Sequence, residues 1–191
     1  MRSIIFAVFG ILALSGTLFG AGLDKESIKI GFEGYKTPTM AGTKGVFTTA
    51  KFNFKKDDST LSKQLVGASV ILSPKNIDMG GEENQVITDN VINAFFGTLN
   101  NKNDIKVEII NVIEGEYKGT ISAKVIINRQ SVIVPLNYEI LGNKEFQAQG
   151  RLDLLAFSNA PKALKALSDV AAGNLGVSWN IVDITINGKL K

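Results

Sequence analysis

The sequence predicts a mainly β fold: an eight-stranded antiparallel barrel with two inserted α-helices. Three observations carry that expectation. From Ile28 onward the apolar residues recur mostly with a period of two, the links in the second half are very short, and only two stretches switch to helical spacing. The 191 residues, 45% apolar and 20% charged, suit one packed domain plus an extension.

The first strand is read at 27–36, where Ile28, Ile30 and Phe32 alternate with Lys29 and Glu33. Strands two and three are read at 45–54 (GVFTTAKFNF) and 64–73 (QLVGASVILS). A helical insertion follows at 83–99, with Val91, Ile92, Phe95, Phe96 and Leu99 along one face. Strands four to seven are read at 104–114, 117–128, 131–141 and 145–155, joined by GE, RQ and GNK. A parallel crossover needs a dozen residues or more, so these links predict hairpins and a meander. The second helix is read within 157–173: Ser158 and Asn159 precede Pro161, Leu164, Leu167, Val170 and Ala171 share a face, and Gly173 ends it. The last strand, 178–190, sets Val182, Ile184 and Ile186 against Asp183, Thr185 and Asn187. Antiparallel strands with one buried face, joined as a meander, favour closure, which leaves no bare edge. An interior of about eight strands is either filled by side chains or holds one small elongated ligand.

The N-terminal stretch MRSIIFAVFGILALSGTLFGAG places Arg2 before an apolar run from Ile4 to Leu14, then the small residues Gly20, Ala21 and Gly22. That is the pattern of a secretory signal cleaved near residues 20–22, with an uncleaved anchor as the alternative. Residues 1–22 are therefore assigned to a signal peptide and 23–191 to the barrel domain, working outside the cytoplasm.

Composition narrows the chemistry. With no Cys and no His there are no disulfides, thiolate nucleophiles, imidazole zinc sites or Ser-His pairs. The 21 Lys and Arg residues are scattered among 18 carboxylates, without the basic stripe of a nucleic-acid binder; Lys55-Lys56 runs straight into Asp57-Asp58. Gly80-Gly81 lacks the Lys-Ser or Lys-Thr of a phosphate loop and reads as a turn. Asp78, Glu82 and Glu83 lack the acidic alternation of a calcium loop, and acids before a helix already favour its positive end. A hydrolase would rest on carboxylates alone, and no convincing pair is apparent. No catalytic residue, metal or cofactor is assigned, and the protein is read as a non-enzyme.

The inward-facing candidates are Ile30, Phe32, Phe52, Phe54, Val70, Leu72, Ile109, Ile121, Val125, Leu136, Tyr138 and Trp179 on strands, with Phe95 and Phe96 on the first helix. Each has plain core packing as its simpler role; in a hollow barrel the same residues would touch a ligand. The face that points inward follows from the period of two and is reversed by any bulge. Tyr35, Arg129, Asn137 and Arg151 are conceivable partners of a polar head group, each with a surface role as the simpler reading.

The order of these features resembles the YceI-like, lipocalin-like family of exported bacterial proteins. The carriers of the resemblance are GVF at 45–47, ASVILSPKNIDMG at 68–80, ITDNVINAFFGTL at 87–99 and the closing GVSWNIVDITI, and it extends from Ile28 to Leu190. It implies a lipocalin-like barrel in the periplasm with a long apolar pocket for an amphiphilic chain, such as a polyisoprenoid or fatty-acid derivative, exchanged with the membrane. The family's frequent His residues near the first and last strands are absent, and Asn76 stands where Ser is usual, which leaves head-group recognition open. The other reading is a non-enzymatic periplasmic interaction or stress-response protein whose barrel is filled by side chains. The oligomeric state stays open, a dimer included.

Overall fold

A computed structural model describes residues 22–191, so the expected signal segment lies, apart from Gly22, outside the described residues. Strands β1 (Lys29–Lys36), β2 (Ala41–Phe47), β3 (Lys51–Asn53), β4 (Ser69–Leu72), β5 (Ile77–Asp78), β6 (Ile105–Glu114), β7 (Lys118–Ile127), β8 (Gln130–Ile140), β9 (Glu145–Asp153) and β10 (Ser178–Lys189) form one antiparallel sheet. Their order is β3-β4-β6-β7-β8-β9-β10-β1-β2-β5. The mainly β, barrel-like class holds, but the sheet has ten strands and not the eight expected.

The two extra strands arise where the chain kinks. It crosses from β2, near one end of the sheet, to β3 at the other end through residues 48–50 alone, and from β4 to β5 through residues 73–76. Four Cα steps reach only about 14 Å, so the sheet must curl until its two ends lie side by side. The two crossing segments run antiparallel, with Phe47 opposite Ile77 before the kink and Lys51 opposite Ile71 beyond it. At the kink, the Thr48 amide and hydroxyl both donate to the Asn76 carbonyl, at 2.8 and 3.0 Å.

Part of the strand expected at 64–73 is instead a short helix, α1 (Leu61–Leu65), capped by the Thr60 hydroxyl, which accepts from the Lys63 amide. Gly67, at φ 79°, turns the chain from it into β4. The first inserted helix is α2 (Gln85–Asn90), continued by a π-helical segment (Val91–Phe96) and α3 (Gly97–Asn100). The second is α4 (Ala160–Val170), with Pro161 in its first turn. The Leu99 carbonyl accepts from the side-chain amides of Asn128, after β7, and Asn159, before α4, tying both helical layers to one end of the barrel.

The period of two decides the interior. On β7, Ile121, Ala123, Val125 and Ile127 are buried, and on β8, Val134, Leu136 and Tyr138. A register shift on β6 between Ile109 and Asn111 reverses the alternation, so Val112 is buried beyond it while Ile110 and Ile113 are exposed.

Candidate functional site

The barrel is not filled by its side chains. Its interior holds a cavity of about 550 Å³, lined almost wholly by apolar groups. That volume is within the roughly 300–1,000 Å³ usual for small-ligand pockets. Inward residues of β1, β6, β7 and β10 make the walls, and the helical layer makes the roof. The roof owes its shape to the π-helical segment, in which the Gly97 amide reaches back to the Ile92 carbonyl. This wider turn buries the consecutive Phe95 and Phe96 together, their rings edge to face at 5.0 Å.

At the floor, Leu23 is anchored by the buried side chain of Gln64. The Gln64 carbonyl oxygen accepts from the Leu23 amide at 2.8 Å, and its amide group donates to the Leu23 carbonyl at 2.9 Å. Leu23 also bridges to Leu190, and with Leu65 and Phe146 it closes this end of the cavity. The other end is the mouth, lined by Gly34 and Lys36 of β1, Val86 and Asn90 of α2, Val170 and the residues after α4, and Ser178 and Trp179 of β10.

The structure brings together nearly all the residues singled out from the sequence. Ile30 and Phe32 (β1), Phe52 and Phe54 (β3 and just after), Val70 and Leu72 (β4), Ile109 (β6), Ile121 and Val125 (β7) and Leu136 (β8) line the cavity beneath Phe95 and Phe96. Trp179 does so beside Ser178, at the irregular start of β10 where the β1–β10 register jumps from Gly34 opposite Val182 to Lys36 opposite Ser178. Its indole N–H donates to the Thr37 carbonyl at 2.8 Å. Tyr138 is the correction. It points inward but lies outside the cavity lining, because the Phe146 ring stacks on it at 5.4 Å and takes the cavity-facing position.

Other lining residues escaped the sequence reading. Val182, Ile184 and Ile186 carried the signal in their alternation, and Leu164 and Leu167 in their helical spacing. Leu23 and Met79 carried none, since their positions depend on contacts distant in sequence: Leu23 on Gln64, and Met79 on Thr88, whose hydroxyl accepts from the Met79 amide.

Of the conceivable head-group partners, Arg151 is on the outer face of the sheet. Its guanidinium grips Asp183 through Nε and Nη2 at 2.6 and 2.8 Å, and the Tyr35 hydroxyl donates to the same carboxylate. Arg151 and then Tyr35 hold the Asp183 carboxyl below the usual carboxylate range. Asn137 and Arg129 are exposed. The Asp78-Gly80-Gly81 segment is a turn: the Asp78 carboxylate accepts from the amides of Gly80 and Gly81 at 2.9 and 2.7 Å, which lowers its pKa. Among the described residues no three carboxylates converge as a metal site would need.

Known structures share this architecture. A polyisoprenoid-binding domain from Saccharophagus degradans, implicated in plant cell wall breakdown, superposes with a TM-score of 0.60 at 13% identity, covering 90% of this chain and 99% of that one. BcnA of Burkholderia cenocepacia gives 0.55 at 14% identity over 86% and 97% of the two chains. The YceI protein of Campylobacter jejuni gives 0.55 at 17% identity over 79% and 86%. No family model matches the sequence, and no curated protein does either. The resemblance drawn from the sequence motifs therefore holds at the level of fold.

Proposed function

We propose that this protein binds one amphiphilic ligand, its apolar chain an isoprenoid or fatty-acid derivative, inside the barrel, and that it acts in the periplasm as a carrier and not as an enzyme. The observation that carries the reading is the cavity: about 550 Å³ of apolar space, with one closed end and one open end. Each methylene moved from water into the cavity contributes about 0.8 kcal/mol, enough for tight binding without elaborate recognition of the tail. The polyisoprenoid-binding domain that shares the fold supports the same ligand class. The N-terminal signal pattern supports export, and the exposed Val86 and Val170 at the mouth suit exchange at a membrane surface.

Native mass spectrometry of the purified protein before and after organic extraction tests this. A lipid-sized adduct lost on extraction is expected. A protein that carries no adduct and, once extracted, takes up neither a long-chain fatty acid nor an isoprenoid would refute the proposal.

A further inference from the structure

Given the carrier reading, on which this inference rests, we infer that Lys36 selects a ligand with an anionic head group, a carboxylate or a phosphate, and holds it at the mouth. Among the described residues Lys36 is the only charged side chain in a lining that is otherwise apolar or neutral. It occupies an inward position: β1 alternates Ile30, Phe32, Gly34 and Lys36 toward the cavity, so a cation stands where the pattern calls for an apolar residue. None of the ion pairs among the described residues involves it. Asp183 with Arg151, on the neighbouring strands, faces the opposite side of the sheet and is already paired, as is Asp169 of α4 with Lys165.

The space around Lys36 suits a head group. A Cβ built on Gly34, the preceding inward position, would meet nothing within 4 Å, so the mouth is open directly beneath the ammonium-bearing residue. A Cβ on Gly173, in the loop after α4, would lie 3.9 Å from the Lys36 Nζ, so the side chain reaches across the mouth from β1 toward that loop. The ammonium therefore meets whatever emerges from the apolar interior. An ammonium at the edge of a low-dielectric cavity attracts an oxyanion more strongly than one in open water. Two duller roles compete: a stem that covers apolar rim surface with its head in water, and a cation placed near the negative end of α4. Neither makes the binding site discriminate between head groups, and that separates them from selection.

The test compares chains of equal length with different heads on the extracted protein: hexadecanoic acid against hexadecanol, and farnesyl monophosphate against farnesol, for the natural protein, Lys36→Met and Lys36→Arg. The natural protein is expected to prefer the charged member by tenfold or more, with the preference shrinking in high salt. Lys36→Met should erase the preference by lowering affinity for the charged member far more than for the alcohol, and Lys36→Arg should restore it. A preference in the acid pair alone would assign a carboxylate, and in both pairs any compact oxyanion. Equal binding of acid and alcohol by the natural protein, a preference that survives in Lys36→Met, or an equal loss of both ligands in that variant would overturn the inference and leave the carrier intact. Failure of all four ligands to bind would overturn both.

Discussion

At the floor of the cavity a buried glutamine satisfies both backbone groups of Leu23, and leucines from distant parts of the chain pack over it. At the mouth the polar side chains line open space, the glycines leave room, and valines stand exposed. Both ends are built from the same strands, so the difference lies in what each end must exclude. The floor excludes water permanently and belongs to the fold's stability. The mouth stays open to water unless the proposed ligand fills it, and on that reading its residues contribute to binding more than to folding. Substitutions at the two ends should therefore separate into those that lower stability and those that change affinity.

The roof, which covers the cavity at the mouth end, should show the largest effect. Phe96→Ala, removing a buried ring from the π-helical segment, is expected to lower stability by about 3 kcal/mol and to weaken ligand binding together with it. Chemical denaturation alongside a ligand titration checks this; unchanged affinity in a still-folded protein would remove the helix from the binding site. At the floor, Gln64→Ala leaves a buried amide and carbonyl of Leu23 unpartnered and should cost roughly 2 kcal/mol. Its head-group preference should be unchanged, in contrast to Lys36→Met, so the pair of variants measures how independent the two ends are.

The smallest effect is expected on the outer face, where Arg151, Asp183 and Tyr35 staple β9, β10 and β1. The folded-state pKa of Asp183 is depressed, by Arg151 first and Tyr35 second. A group of that kind stabilises fully above its unfolded pKa, near 4, and the contribution is lost as pH falls through the folded value. Thermal melts of the natural protein should therefore decline below about pH 4, and Asp183→Asn should flatten that decline while ligand affinity at neutral pH stays the same. A changed affinity would show that the staple shapes the cavity wall.

How much of this was legible varied along the chain. From β6 to β9 the strands follow one another as hairpins, so each is long and ends at a short turn, and apart from the bulge on β6 each alternates cleanly. Between β2 and β6 the strands β3, β4 and β5 are short fragments at the two ends of the sheet, and local pattern does not specify them: Thr48–Ala50 looks like the middle of one strand, and Gln64–Leu65 like the start of another. The inward positions on the strands are legible because the period of two is a local property of the backbone. Tyr138 points inward as expected, but what covers it, Phe146, comes from the neighbouring strand β9 and lies outside any local pattern. Trp179 lines the cavity together with Ser178 at an irregular strand start that plain alternation does not describe. Lys36 went unremarked because a lysine at a strand end ordinarily belongs to the surface, and only the curvature of the sheet turns that position inward.

The ladder between β1 and β10 sets Lys29 against Asn187, near the two ends of the described chain. Contacts so distant in sequence form late, because closing a long loop carries its entropic cost before any pairing offsets it. The meander can assemble locally, but the cavity has no complete wall until the final strand docks. On the proposed carrier reading, loading is an event of the finished molecule, and a protease acting before β10 is in place would meet an open trough and not a container.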